Sequence, residues 1–188
     1  ASPYNYPTIA LVDYNLIASQ PPHIAASTGM DALTHAIEGY TCLKAQPLSD
    51  ALAIHAISLI GANLRSLAAG KENLLAAKGM AMGSTIAGIA FANSSVGLVH
   101  AMSQAAGSLC GVPHGVGNAI LLPFIMEFNL IGNLDKFADV AVALGEDIVG
   151  LTKREAAQVA VDAVRSLSKD IGIPPKLGSF GVSEEMIP

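Results

Sequence analysis

Apolar residues recur at helical spacing along most of this chain, from about residue 22 to residue 171. Apolar side chains three and four positions apart, with polar positions between them, are typical of helices that bury one face. Start and stop signals separate the segments, including a capping-box pattern at Thr152 and Glu155. The pattern predicts helices over residues 28–43, 49–69, 71–93, 96–109, 115–129, 134–144 and 152–171.

The start of the chain has a different pattern. Residues 8–12, Thr-Ile-Ala-Leu-Val, are a short β-branched run after Pro7, which predicts a strand. Because one strand cannot form a sheet, its partners must lie outside this sequence, or it remains an isolated edge. We therefore assign residues 1–20 to the terminal strand and linker of another domain. Residues 21–188 are assigned to an all-helical domain that we expect to be truncated at its C-terminus.

The chain has few charged residues to cover its surface. Hydrophobic residues make up 52% of the chain and charged residues only 13%, against about 25% charged residues in an ordinary soluble domain. The excess of apolar residues indicates that the chain is either buried against protein partners or embedded in a membrane. A spanning helix needs about 20 uninterrupted apolar residues, whereas the best runs, 57–62, 86–92 and 119–126, are short and interrupted. We therefore expect protein partners, including copies of this chain in a homo-oligomer, and no membrane.

Charge and cysteine content exclude other classes. The net charge is −5 and lysines and arginines do not cluster, which argues against a nucleic-acid partner. Cys42 and Cys110 are too few for a disulfide framework, and neither lies in a CxxC pair. We interpret them as reduced packing residues of a cytoplasmic protein.

Four side chains are candidate metal ligands. Asp31 and His35 are four residues apart and lie on one face of a predicted helix. His100 and His114 lie in a segment without Asp, Glu, Lys or Arg, and a buried histidine there needs a polar partner. One carboxylate and three neutral imidazoles form a set that suits Fe²⁺ or Zn²⁺. The spacing alone does not exclude the alternative that these histidines are buried structural residues without a metal.

Two sequence blocks carry a family resemblance. Residues 29–40, Gly-Met-Asp-Ala-Leu-Thr-His-Ala-Ile-Glu-Gly-Tyr, resemble the first signature of the iron-containing, or group III, alcohol dehydrogenases. Residues 97–102, Gly-Leu-Val-His-Ala-Met, followed by Gly107 and residues 113–123, resemble the second. The blocks have the expected order and distance, and the resemblance covers most of residues 7–145.

The resemblance implies a site and an activity. Its metal ligands correspond here to Asp31, His35, His100 and His114, holding Fe²⁺ or another divalent ion such as Zn²⁺. It implies an α/β nucleotide-binding domain followed by an all-helical metal domain of the dehydroquinate synthase-like type. This chain would contain the last strand of the first domain and most of the second. The implied reaction interconverts small primary alcohols and aldehydes by hydride transfer with NAD or NADP.

The sequence departs from the family at one position. Many members have a further histidine four residues after the third ligand, where this chain has Gln104. Because glutamine does not exchange a proton near neutral pH, we assign no catalytic acid or base. We expect Gln104 to bind the cofactor amide or a water molecule.

Several alternatives stay open from the sequence. A zinc-dependent polyol dehydrogenase of the glycerol type would have the same architecture, and a non-catalytic helical assembly domain would use structural histidines. Glu38 is either an acceptor for a ligand ring N–H or a solvated helix position. Phe91, Phe124 and Phe128 either line a substrate pocket or pack in the core, and we expect core packing for each. No glycine loop for phosphate follows a strand, so the 188 residues alone are expected to bind metal without turnover.

Overall fold

The computed structural model of the chain describes residues 7–70 and 73–186, and these residues form helices joined by short loops. Within these ranges, three short 3₁₀ helices, at Leu130–Asn133, Leu177–Phe180 and Glu184–Met186, accompany the α-helices. The α-helices in the described ranges are α1 Tyr14–Ala18, α2 Pro22–Thr41, α3 Pro47–Ala68, α4 Leu74–Ala92, α5 Leu98–Cys110, α6 His114–Asn129, α7 Leu134–Ala143 and α8 Lys153–Asp170.

The helices predicted from the apolar pattern are all present. Most ends agree within two or three residues, but α2 begins at Pro22, six residues before the predicted start. Proline fits the first helical turn, where its missing N–H has no partner to lose. The short helix α1 was not predicted; Asp13 caps it by accepting a hydrogen bond from the Asn15 backbone at 2.9 Å. The mainly helical fold is therefore confirmed for the described residues.

The predicted strand at residues 8–12 is not observed. This segment contains bends without a hydrogen-bonded ladder, and Ile9 and Leu11 are 84% and 90% exposed. A strand requires a neighbouring strand for its backbone groups, and the described part of the chain offers none. The predicted strand is therefore not confirmed, and residues 1–6 lie outside the described residues.

Helix α2 lies at the centre of the fold. It packs against α3, α4 and α6, and twelve of its residues are buried. Met30, Leu33 and Ile37 are at most 1% exposed. Gly29 permits the close approach, because a Cβ there would lie 2.3 Å from Leu64 Cδ1 of α3. The metal-ligand candidates of α2 are therefore held by a helix that is fixed on several sides.

Side-chain caps fix where several helices begin. The capping box predicted at Thr152 forms, since Glu155 Oε2 accepts from the Thr152 backbone N–H at 2.8 Å and α8 begins at the next residue. Asn73 caps α4 by accepting from the Ala76 backbone N–H at 3.0 Å. These bonds satisfy backbone donors that lack a partner inside the helix.

Replacing Asn73 by Ala is expected to lower the free energy of unfolding by about 1 kcal/mol, because the Ala76 N–H loses its acceptor. For a chain of this length, the thermal midpoint should fall by about 2–4 °C. Asn73→Asp is the matched control, since its carboxylate can accept the same bond. Equal midpoints for Asn73→Ala and Asn73→Asp in a thermal melt would contradict the cap.

Among the residues that the structure describes, three helical stretches are long and apolar enough to cross a bilayer, judged by length and composition only: Pro47–Ala68, Leu74–Ala92 and His114–Ala143. The short uninterrupted apolar runs, taken alone, argue against membrane spans. Averaged over 18 residues, however, each stretch reaches a mean hydropathy of 1.4. Interrupting Gly, Ser and Asn residues do not lower that mean enough to exclude a span, so the rejection by run length was wrong. The absence of a membrane stays a prediction.

Candidate metal centre

Three helices bring the four candidate ligands together. Asp31 and His35 lie one turn apart on α2, His100 lies in the first turn of α5, and His114 is the first residue of α6. The hairpin of α5 and α6 places its two histidines against α2. Ser103 holds that hairpin by donating a hydrogen bond to the His114 carbonyl at 3.2 Å.

The donor atoms form a tight cluster. Those of Asp31, His100 and His114 all lie within 4.8 Å of one another. Asp31 Oδ1 lies 3.7 Å from His100 Nε2 and 3.5 Å from His114 Nε2. His35 Nε2 lies 3.0 Å from His100 Nε2. The structure therefore brings Asp31, His100 and His114 together, and it places His35 beside His100.

Glu38 fixes the orientation of the His100 ring. Its carboxylate is 6% exposed and accepts hydrogen bonds from His100 Nδ1 at 2.7 Å, the Gly97 N–H at 2.8 Å and the Val99 N–H at 2.7 Å. Because a carboxylate only accepts, His100 carries its proton on Nδ1 and presents the Nε2 lone pair to the cluster. Of the two interpretations of Glu38, the acceptor role is correct and the solvated position is wrong.

The His35 ring is oriented in the same way. Its Nδ1 donates to the Asp31 carbonyl at 2.9 Å, so its Nε2 also presents a lone pair. Burial lowers the pKa of His35, although the charge of Asp31 opposes the shift, and the ring is therefore neutral near pH 7. Phe91 covers the ring, with centroids 4.4 Å apart.

The arrangement fits a cation. Two neutral imidazoles that present lone pairs to each other at 3.0 Å repel, unless a positive charge or a proton donor lies between them. Neutral imidazole nitrogens and a carboxylate oxygen are the donors that Fe²⁺ and Zn²⁺ take. Ring nitrogens held by a carboxylate and a carbonyl are the usual outer support of such a site.

Asn118 is a component of the cluster that the sequence analysis did not single out. It lies one turn after His114 on α6 and is 0% exposed. Its Nδ2 lies 2.5 Å from Asp31 Oδ1, 3.1 Å from His114 Nε2 and 3.2 Å from His100 Nε2. The i, i+4 spacing from His114 was the available signal, because it places both side chains on one helix face.

A small cavity opens beside the cluster, between α2 and α4. Its volume is about 270 Å³. Typical sites for drug-sized ligands hold about 300–1,000 Å³, so this one suits a smaller molecule. It is lined by Thr28, Asp31, Ala32, His35, Ser84, Ala87, Gly88 and Phe91.

Other predicted residues lie apart from the cluster. Gln104 is an exposed residue on α5, one turn after His100, and its predicted role is not tested by these contacts. Phe124 and Phe128 are 54% and 76% exposed, so their predicted core positions are wrong. Phe124 and Phe128 lie on the outer face of α6. The apolar pattern alone did not distinguish this face of the helix from the buried face.

Residues 25–188 match the model of the Fe-containing alcohol dehydrogenase family, C-terminal part. The chain belongs to this family. The resemblance found in the two sequence blocks is thereby confirmed, and the match extends past residue 145 to the end of the chain.

Individual members of the iron-containing alcohol dehydrogenase family are similar over nearly the whole chain. The 1,3-propanediol dehydrogenase of Klebsiella pneumoniae is 47% identical over 184 residues, which are 98% of this chain and 48% of that protein. The lactaldehyde reductase of Escherichia coli K12 is 44% identical over 186 residues, which are 99% of this chain and 48% of that protein. The chain therefore spans about half the length of these relatives.

A solved family structure has the same fold. The crystal structure of a 1,3-propanediol oxidoreductase superposes with a TM-score of 0.90 at 48% identity, covering 92% of this chain and 45% of that one. At this similarity the helical architecture described above is the family's C-terminal architecture.

Proposed function

We propose that the complete protein is a metal-dependent oxidoreductase that interconverts small primary alcohols and aldehydes, and that this chain supplies its metal site. The observation that carries the proposal is the convergence of Asp31, His100 and His114, with His35 in contact with His100. Support comes from the relatives, a 1,3-propanediol dehydrogenase and a lactaldehyde reductase, which are named for a diol and an aldehyde.

The four side chains would hold one divalent cation, with Fe²⁺ proposed and Zn²⁺ the alternative. When bound, the cation would polarise the alcohol or aldehyde oxygen as a Lewis acid, and the nicotinamide of NAD or NADP would carry the hydride. Asp31 supplies the one negative charge, and Glu38 and the Asp31 carbonyl orient two rings. The cavity beside His35 would admit the small substrate and limit its size.

Residues 1–20 are proposed to belong to a nucleotide-binding domain, and residues 21–188 to the metal-binding domain of the dehydroquinate synthase-like type. Ile9 and Leu11 support this, because their exposed apolar side chains suit a strand covered by a sheet. Gln104 is proposed to bind the cofactor amide or a water molecule, since it is exposed one turn beyond His100. A homo-oligomer in the cytoplasm, without membrane or nucleic acid, completes the proposal.

A second candidate is a zinc-dependent polyol dehydrogenase. It is favoured by one observation: the mutually close donors are Asp31, His100 and His114, without His35. Three protein ligands with an open fourth position are typical of catalytic zinc.

Metal analysis after anaerobic purification tests the proposal and its alternative. We expect one equivalent of iron per chain, removable by a chelator, and a lower thermal midpoint after its removal because the ion binds only the folded state. Zinc at full occupancy would favour the polyol dehydrogenase. No bound metal, and no uptake of added Fe²⁺ or Zn²⁺, would leave the non-catalytic assembly domain. The 188 residues by themselves should not reduce an aldehyde with NADH.

A further inference from the structure

Asn118 lies in the middle of the cluster formed by the candidate metal-ligand atoms. Its amide nitrogen contacts three of the four candidate ligands, namely Asp31, His100 and His114, at 2.5 to 3.2 Å. An amide NH₂ has two protons to donate and no lone pair to offer. Its two protons can therefore be donated to the Asp31 carboxylate oxygen and to one ring nitrogen at a time, and a cation would attract the same lone pairs.

The other atom of this amide shows that the cluster decides its orientation. Asn118 Oδ1 is buried and has no hydrogen-bond partner among the described residues. A buried acceptor without a partner is destabilising. In this orientation the amide nitrogen faces Asp31 Oδ1 and the His100 and His114 ring nitrogens. Without the amide protons, these acceptor atoms would face only one another.

We propose that Asn118 stands in for the cation in the metal-free protein. Its NH₂ group lies within hydrogen-bond distance of Asp31 Oδ1, His100 Nε2 and His114 Nε2, and its two protons can serve two of these atoms at a time, which keeps the cluster assembled when no ion is bound. The inference rests on the proposed function, because it assumes that these donors hold a divalent ion. When that ion binds, the amide protons must leave the lone pairs that the ion takes.

The Asn118 amide and the metal ion therefore compete for the same ligand atoms. Any interaction present only in the metal-free state lowers the apparent affinity for the ion, by the same factor by which it stabilises that state. Asn118 would therefore weaken metal binding while it stabilises the metal-free fold. A residue that only positioned Asp31 for the metal would have the opposite effect on affinity.

The test compares Asn118→Ala with the unaltered full chain, using Zn²⁺ as the probe. Zinc affinity is measured by calorimetric titration, and thermal midpoints are measured with chelator and with excess zinc. We expect the dissociation constant to fall about tenfold, which corresponds to losing one or two hydrogen bonds in the metal-free state. The midpoint should fall strongly with chelator and only slightly with zinc.

Two further variants keep the result decisive. Asn118→Ser also lacks the amide and should shift the affinity in the same direction. Ser49→Ala is the control, because Ser49 is a buried polar residue that bonds to Gln46 at the start of α3. It should lower both midpoints equally and leave zinc affinity unchanged.

Three outcomes would overturn the inference alone. These are a higher dissociation constant in Asn118→Ala and Asn118→Ser, equal midpoint losses with an unchanged constant, and failure of both variants to fold even with zinc. If the unaltered chain takes up no zinc or iron, the proposed function itself fails. The two failures are therefore distinguishable.

Discussion

Replacing His100 by Ala is expected to abolish stoichiometric metal binding. The substitution removes a ring whose Nε2 faces the donor cluster and whose Nδ1 is held by Glu38. Loss of an outer partner of a metal ligand costs about 10–100-fold in affinity, and loss of the ligand itself should cost more. Metal content by elemental analysis and affinity by calorimetric titration measure the effect.

The fold should survive this substitution. Glu38 keeps its bonds to the Gly97 and Val99 backbone N–H groups, so its buried carboxylate is still partly satisfied. We expect a loss of about 1–3 kcal/mol in the free energy of unfolding of the metal-free chain. Helical circular dichroism should be retained, so that loss of metal can be separated from loss of structure.

His55→Ala is the matched control for His100→Ala. His55 lies on α3 with an exposed side chain, away from the four candidate ligands. Its replacement should leave metal content and affinity unchanged. Full metal content in His100→Ala would contradict the ligand assignment.

Replacing Gly115 by Ala is expected to disturb both stability and the metal site. A Cβ at Gly115 would lie 2.6 Å from the Ser27 carbonyl oxygen and 3.0 Å from its carbon. These are backbone atoms of α2, so the clash can be relieved only by moving one helix against the other. Overpacking of this kind costs about 1–3 kcal/mol.

The displaced segment is the start of α6, which carries His114 and Asn118. A shift there should also weaken metal binding by about tenfold or more, comparable to losing an outer-shell contact. Chemical denaturation of the metal-free chain measures the first effect, and zinc titration measures the second.

Gly88→Ala provides the contrast, because nothing lies within 4 Å of a Cβ at that position in α4. Alanine there should stabilise the helix by up to about 1 kcal/mol. The same change of residue type is therefore expected to have opposite signs at the two sites. A Gly115→Ala chain as stable as the unaltered one would show that α2 and α6 are not in close contact.

The helices could be predicted because their information is local. Apolar spacing and caps such as that at Thr152 act within a few residues of each other. The segment 8–12 shows the limit of this argument. β-branched residues favour a strand, but a strand exists only with a hydrogen-bonded neighbour, and none is present in the described ranges.

The residue types available for chemistry can be identified from the sequence, and the two signature blocks indicate which of them are metal-ligand candidates. Their contacts depend on how the helices pack. Glu38 and His100 are 62 positions apart, and Asp31 and Asn118 are 87 apart, so no local pattern reports their hydrogen bonds. Packing of α5 and α6 against α2 creates these contacts. Burial then removes the competing water, so that each polar group depends on a specific partner.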